Sequence, residues 1–265
     1  MTLLLLIKAL VLGAIEGLTE FLPVSSTGHL IIAGDALDFT GERAKTFQIF
    51  IQLGAILSVV WHYREKLWNV TCTLNERPAQ RFLLNLGIAW LPAAISGFLL
   101  HTYIKEYLFN PTTVAVALIS GGLLILLIER RPRQPRVVAL EQLAPLDALK
   151  VGIAQTASLF PGISRAGATI MGGLLTGLSR RTATEFSFFL AIPTMFAATI
   201  YDLLSSRQAL DAHDAVLLAV GFAVAFITAL VVIRAFLHYV SRHTFVPFAH
   251  YRIVFGVLVL AYYWW

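Results

Sequence analysis

The chain has 265 residues, 58% of them hydrophobic and 13% charged, with a mean hydropathy of +0.76. Soluble domains carry about a quarter charged residues, so this composition argues against a soluble enzyme, and it excludes intrinsic disorder. The 20 Lys and Arg against 15 Asp and Glu give +5, an excess that in a membrane protein marks cytoplasmic loops rather than a nucleic-acid partner. The single cysteine, Cys72, rules out an internal disulfide and a thiolate cluster.

In chain order, the first apolar stretch covers 3–33 and is rich in Gly, Ser and Thr, with Pro23 and ionisable groups inside it. It lacks a basic n-region, carries Lys8 within the apolar run and meets Glu16 rather than a cleavage site. It therefore reads as mature structure, not a secretory signal. Three spans follow at 47–62, 82–104 and 112–128. A second broken stretch, 148–178, repeats the Gly/Ser/Thr character, and three more spans lie at 185–203, 214–238 and 248–265.

Orientation comes from short loops. Arg64, Lys66, Arg77 and Arg81 place 63–81 inside, and Arg130, Arg131, Arg133 and Arg136 place 129–150 inside. Lys105 is balanced by Glu106, which puts 105–111 outside; Arg180 and Arg181 read as inside. Arg207 against Asp211 and Asp214 reads as outside, Arg242 as inside, and 34–46 falls outside by alternation. Residues 148–178 then begin and end on one side, so they must enter the membrane and return. Such broken helices survive at membrane depth only where buried in protein or lining a wet cavity.

The two broken stretches match. GAIEGLTEFLPVSS (13–26) lies over GIAQTASLFPGIS (152–164) with one gap, pairing Glu16 with Gln155, Pro23 with Pro161 and Ser26 with Ser164; AKTFQIFIQLGA (44–55) lies over ATEFSFFLAIPT (183–194). The expected fold is an all-α polytopic membrane protein: about six transmembrane helices plus two re-entrant helical hairpins in an inverted-topology repeat. It is a single integral membrane domain (1–265), with halves of approximately 1–128 and 148–265 joined by the basic cytoplasmic loop 129–147. The site of such a repeat is expected at the midplane, between the broken segments.

Ionisable side chains inside membrane segments are costly and usually functional. Here they concentrate in the broken stretches, as Glu16, Glu20 and His29 in one and Arg165 in the other. Glu16 and Glu20 share a helix face, and their mutual repulsion is relieved by a nearby Arg or a divalent cation, for which oxygen ligands favour Mg²⁺ or Ca²⁺. Behind Pro23, Ser25, Ser26, Thr27 and Gly28 offer hydroxyls and free amides to an anion. Ser26 and His29 are three apart, so a hydroxyl and a base share one turn. In the second stretch Gly162, Ser164, Arg165 and Thr169 form a matching cluster, in which Arg supplies a planar fork for phosphate oxygens. Together these groups suit a diphosphate.

EGLTEFLPVSSTGHL and PGISRAGAT closely resemble the two signature regions of the undecaprenyl-pyrophosphate phosphatase (bacitracin-resistance) family. The first corresponds to its (E/Q)-x-x-x-E element through Glu16 and Glu20, the second to Pro-Gly-x-Ser-Arg-Ser-x-x-Thr through Pro161, Gly162, Ser164, Arg165 and Thr169. Ala166 stands where the family has its second Ser. The resemblance implies hydrolysis of undecaprenyl pyrophosphate to the monophosphate and inorganic phosphate, recycling the lipid carrier of peptidoglycan synthesis. It further implies a divalent cation and a multi-pass protein of the bacterial inner membrane acting at the periplasmic side. Glu16 and Glu20 are expected to hold the cation and Arg165 the phosphates, with Ser26 as nucleophile and His29 or Glu20 as base; His29 or water as nucleophile stays open. Expected partners are the lipid substrate and membrane lipids, with a homodimer open and no nucleic acid. The rival reading is a transporter or lipid flippase, for which inverted repeats are the usual plan.

Elsewhere, Trp61, Trp68, Tyr262, Tyr263, Trp264 and Trp265 read as interfacial anchors, and Gly121, Gly122, Gly172 and Gly173 as close-packing positions. Gln48, Gln52 and Glu185 read as structural polar contacts. His62, His101, His238, His243 and His250 show no metal spacing, and the segment ERRPRQPR reads as a solvated loop.

Overall fold

The computed structural model describes residues 3–108, 110–131, 134–205 and 215–264. Arg133, Arg207, Asp211, Asp214 and Trp265, and the side chains of His101, Lys105 and Glu106, lie outside the described residues. The described chain is helical, in the order α1 (Leu3–Thr19), α2 (Ser26–Ala36), α3 (Gly41–His62), α4 (Arg64–Cys72), α5 (Arg77–Tyr107), α6 (Pro111–Glu129), α7 (Pro145–Thr156), α8 (Arg165–Leu175), α9 (Arg180–Ser205), α10 (Ala215–Val240) and α11 (Val246–Trp264).

Among the described residues six helices are long and apolar enough to cross a membrane: Arg43–His62, Arg77–Leu100, Pro111–Glu129, Arg180–Tyr201, Ala215–Val240 and Val246–Trp264. These are the six expected spans, so the chain is a multi-pass membrane protein. Their starts are set locally. Pro78 and Pro111 occupy first-turn positions, where a missing N–H costs nothing, and Asn110 caps α6 by accepting from the Thr113 amide at 2.9 Å. Exposed Leu3, Leu4, Phe98, Leu99, Val231 and Leu258 form an apolar exterior suited to lipid.

Three of the other helices are about half-length: α2 and α8 have 11 residues and α7 has 12, too short for a hydrocarbon core of about 30 Å, while α1 has 17. Each pair, α1–α2 and α7–α8, closes on itself at its open end. In the first, Lys8 Nζ donates to the Asp38 carbonyl at 3.2 Å. In the second, Arg136 bridges the Asp147 carboxylate on α7 and the Thr176 carbonyl after α8, and its amide donates to Gly177 O at 2.9 Å. Tyr263, at the end of α11, donates to Asp35 at 2.8 Å. Glu129 holds the other end of α11, accepting from the Phe245 amide at 3.0 Å and from Arg180.

α9 is the most buried span, with 56% of its apolar window inside the protein against 17% for α5 and 22% for α11. It packs on α3 and α8, while α1 packs along α10, α5 along α7 and α6 along α11. The core gathers Phe21, Phe186, Phe188, Phe189 and Phe245. Glycines set the close approaches: a Cβ on Gly122 would lie 2.8 Å from Ala249 O, and one on Gly256 2.9 Å from Ala115 O. Gly172 and Gly173 likewise meet Ala154 and Ala183, as expected of packing positions.

Two sequence expectations change. The loop 63–81 holds helix α4, because Arg64–Cys72 is solvated on one side while Lys66 reaches back over the rings of Phe82 and Phe189, 5.7 Å from each centroid. Lys66 also pairs with Glu141 at 3.1 Å, and together with the backbone amide of Glu141 it holds that carboxyl below the usual range. The segment 129–136 is not simply solvated either: its two ends are fastened, Glu129 to Arg180 and Arg136 to Asp147.

Candidate active site

The two helix breaks have the same local build. After α1 the Glu20 amide still reaches Glu16 O at 2.9 Å, then the chain turns through Phe21–Val24 and restarts at Ser25. After α7 it turns through Phe160–Ile163 and restarts at Ser164. Ser25 (φ 72°) and Ser164 (φ 75°) both adopt a backbone conformation rarely taken by L-residues. Each accepts, through its hydroxyl, the amide three residues on: Gly28 at 3.4 Å and Gly167 at 3.1 Å. The structural partner of Ser164 is therefore Ser25, one residue from the pairing with Ser26 read from sequence. Ser26 and Arg165 then occupy equivalent first positions of their helices.

Those two residues meet on one carboxylate. Ser26 Oγ donates to Glu20 Oε2, and Arg165 Nη2 donates to Glu20 Oε1 at 2.9 Å. Glu20, Ser26 and Arg165 are nearly sealed, with side-chain exposure of 8% for Glu20 and 10% for Arg165. Arg165 is steadied by Ser187, whose carbonyl accepts from Nη1 at 3.1 Å, and its guanidinium lies 5.8 Å from the Phe21 ring centroid. Thr169 does not face the carboxylate; its hydroxyl bonds Ser187 Oγ at 2.6 Å and Arg165 O at 2.8 Å, supporting the arginine from behind. Ser164 Oγ lies 3.5 Å from Leu22 O, so the second break touches the first.

Arg165 Nε is buried and has no acceptor among the described residues. A buried donor left unpaired is costly, and an anion placed against the guanidinium would satisfy it. Glu16, one turn before Glu20 on α1, is 2% exposed. A buried carboxylate in that position needs a proton or a cation. Glu16 and Glu20 offer hard oxygens, and no group of three or more His, Cys, Asp or Glu that could hold a metal is found among the described residues. The donor set suits a cation such as Mg²⁺, which keeps most of its ligands as water and substrate phosphate.

His29 stands apart from the cluster. Its Nδ1 lies 2.7 Å from Ser25 O and its Nε2 2.6 Å from Tyr251 Oη, and the ring stacks on Phe255 at 4.3 Å. The carbonyl assigns the proton to Nδ1, leaving Nε2 to accept from Tyr251. Both nitrogens are occupied, whereas Ser26 is hydrogen-bonded to Glu20. Thr27 is exposed with no described contact. Gly28 and Gly162 serve packing on α6; at Gly162 (φ 96°) a Cβ would lie 2.6 Å from Val114 O, so only glycine fits. Gln155 is fully buried and bonds Thr194 at 3.4 Å. Glu185 pairs with Arg181 along α9 at 2.9 Å, a structural contact as expected.

Ser187, Tyr251 and Arg252 were not among the sequence candidates. Arg252 carried a usable signal, an arginine within the apolar run VPFAHYRIVFGVLVL. Ser187 and Tyr251 have no local signature.

A family model described as bacitracin resistance protein BacA matches residues 9–258. A protein of Methylobacillus flagellatus named undecaprenyl-diphosphatase is 56% identical over 269 aligned residues, covering all of both chains. Proteins of the same name from Nitrosospira multiformis (58% identity; 97% of this chain, 94% of the relative) and Neisseria meningitidis (51%; 98% and 96%) are similar over nearly their whole length.

Proposed function

The chain belongs to the bacitracin resistance protein BacA family, and from that premise we propose that it hydrolyses undecaprenyl diphosphate to undecaprenyl phosphate and inorganic phosphate. The observation that carries the chemistry is the shared carboxylate: Glu20 holds the Ser26 hydroxyl on one oxygen and the Arg165 guanidinium on the other.

In this reading the terminal phosphate seats against Arg165, whose uncommitted Nε–H finds an oxygen there. Ser26 Oγ attacks the terminal phosphorus and its proton passes to Glu20. The anhydride P–O bond breaks, and the lipid monophosphate leaves with the bonding pair. Water then attacks the phosphoserine, the Ser26–phosphate bond breaks, and inorganic phosphate departs as Ser26 regains a proton from Glu20. Arg165 supplies fixed charge where negative charge develops. Glu20 is the better-placed base, since both His29 nitrogens are already engaged. A divalent cation held by Glu16 and Glu20 supplies charge neutralisation on the phosphate oxygens.

The same reading makes α1–α2 and α7–α8 re-entrant hairpins opening to opposite membrane faces. In support, their mouths lie with opposite ends of α11: Tyr263 bonds Asp35 beside the first, while Arg180 and Phe245 share Glu129 at the end nearer the second. The protein would lie in a bacterial inner membrane, with the basic α4 region cytoplasmic and the site open to the periplasm. The transporter alternative is not favoured, since the relatives are named for a hydrolase.

The test is phosphate release from undecaprenyl diphosphate by detergent-purified protein, in chelator and with Mg²⁺ or Ca²⁺. Cation-dependent release is expected, with Glu20→Ala and Arg165→Ala each lowering kcat by about 10²–10³-fold or more and Ser164→Ala retaining clearly more activity than Arg165→Ala. Equal rates for the last two variants, or release indifferent to chelator, would overturn these assignments.

A further inference from the structure

Among the described residues the largest fully buried side chain is a charged one, Arg252, in the N-terminal half of the apolar helix α11. All five guanidinium N–H groups end on backbone carbonyls. Nε donates to Leu118 O at 3.3 Å; Nη1 to Pro23 O at 3.0 Å and Ile163 O at 2.9 Å; Nη2 to Ala117 O and Gly162 O, both at 3.0 Å. Among the described residues no carboxylate pairs with it.

The identity of the carbonyls matters. Pro23 belongs to the break after α1, Gly162 and Ile163 to the break after α7, and Ala117 and Leu118 to α6. Carbonyls in a helix break have no helical amide to accept from, and at membrane depth each unpaired one costs several kcal/mol. One planar fork satisfies three of them and fixes both breaks against the same rigid helix. The pocket is tailored to it: a Cβ on Gly121 would fall 2.2 Å from Nη2, and one on Gly167 3.4 Å from Nη1. Lysine, with three donors on a point charge, cannot span five acceptors.

Just beyond the clamped carbonyls come the caps Ser25 and Ser164, and then Ser26 and Arg165, the two residues that meet on Glu20. We infer that Arg252 is a positioning residue for hydrolysis: by tying the two breaks together it sets the separation at which Ser26, Glu20 and Arg165 come into register. This rests on the phosphatase reading above. Arg252 touches no reacting group; it acts through the backbone of both half-sites.

The test uses the full-length protein with Arg252→Lys and Gly121→Ala, the second driving a methyl into the guanidinium while leaving the arginine in place. Two readouts are taken on monodisperse protein: kcat and KM for phosphate release, and hydrogen–deuterium exchange across the chain. Both variants are expected to lower kcat by about 10–100-fold, the scale of an ångström-level misplacement, with KM within about threefold. Exchange should rise at residues 21–25 and 160–164 together. Arg165→Lys combined with Arg252→Lys should lose less than the product of the single losses, because both act on one contact. Wild-type kcat in either folded variant, or loosening of one break alone, would overturn the inference. If wild-type protein released no phosphate, the functional reading would fall; paired loosening of the breaks would still decide whether Arg252 ties them. Should Arg252→Lys not fold, Gly121→Ala decides the matter by the same readouts.

Discussion

The strained caps give a prediction with an unusual sign. At Ser164 (φ 75°, ψ 119°) and Ser25 (φ 72°, ψ 91°) a side chain is held where strain of about 1–3 kcal/mol is typical. In return its hydroxyl caps a buried amide, worth about 1 kcal/mol. Ser164→Ala keeps the strain and orphans the Gly167 N–H, so it should destabilise by about 1–2 kcal/mol. Ser164→Gly releases the strain, costs a few tenths through the cap and about 0.5–1 kcal/mol through chain entropy, and should leave stability near wild type or slightly above. The Gly and Ala variants should thus differ by about 1–3 kcal/mol. At about 2–4 °C per kcal/mol for a chain of this size, that is a gap of roughly 2–12 °C in the unfolding midpoint, measured without substrate in one detergent. Ser25 should behave in the same sense, because its geometry matches. An alanine variant as stable as its glycine counterpart at both positions would refute the strained-cap argument.

Two further outcomes follow from helix contacts outside the shared carboxylate. Glu129→Ala removes the carboxylate shared by Arg180 and the Phe245 amide. Because Arg180 is 37% exposed, the loss is discounted to about 1–3 kcal/mol, and an unchanged thermal midpoint would show that the latch contributes nothing. Gly17→Ala would place a Cβ 2.5 Å from Ala225 O, whereas a Cβ on Gly87 meets nothing within 4 Å; the first should cost about 1–3 kcal/mol and the second should be tolerated, so equal midpoints would contradict the packing of α1 on α10.

What was legible in the sequence depended on how local its cause was. Spans are written in runs of apolar residues, so all six appear where expected. The breaks are written in Pro23, Pro161 and Gly162 together with the run of hydroxyls, and they fall in place. Glu20 and Arg165 stood out because charge at membrane depth is rare, and Ser26 because its hydroxyl follows Pro23 and lies three residues before His29. The same criterion applied to the last span would have found Arg252. The one-residue shift from Ser26 to Ser25 as the partner of Ser164 lies in backbone angles that composition does not encode. His29 shares a turn with Ser26 in sequence, yet its ring is claimed by Tyr251, 222 residues away. Helix α4 was hidden because its stability comes from Lys66 reaching Glu141 and two distant rings, not from its own pattern.

Arg252 also orders events in time. It lies downstream of every residue in the cluster that it braces, so a growing chain inserts both breaks before their clamp exists. Until α11 arrives, Pro23, Gly162 and Ile163 must borrow partners from water or lipid headgroups. An arginine within a span is costly to insert alone, up to about 2.5–3.5 kcal/mol at the centre; here the waiting carbonyls offer that helix an immediate docking site. Biogenesis would then end, rather than begin, with the assembly of a competent catalytic centre, and a nascent chain halted before α11 would carry every reacting group and no activity.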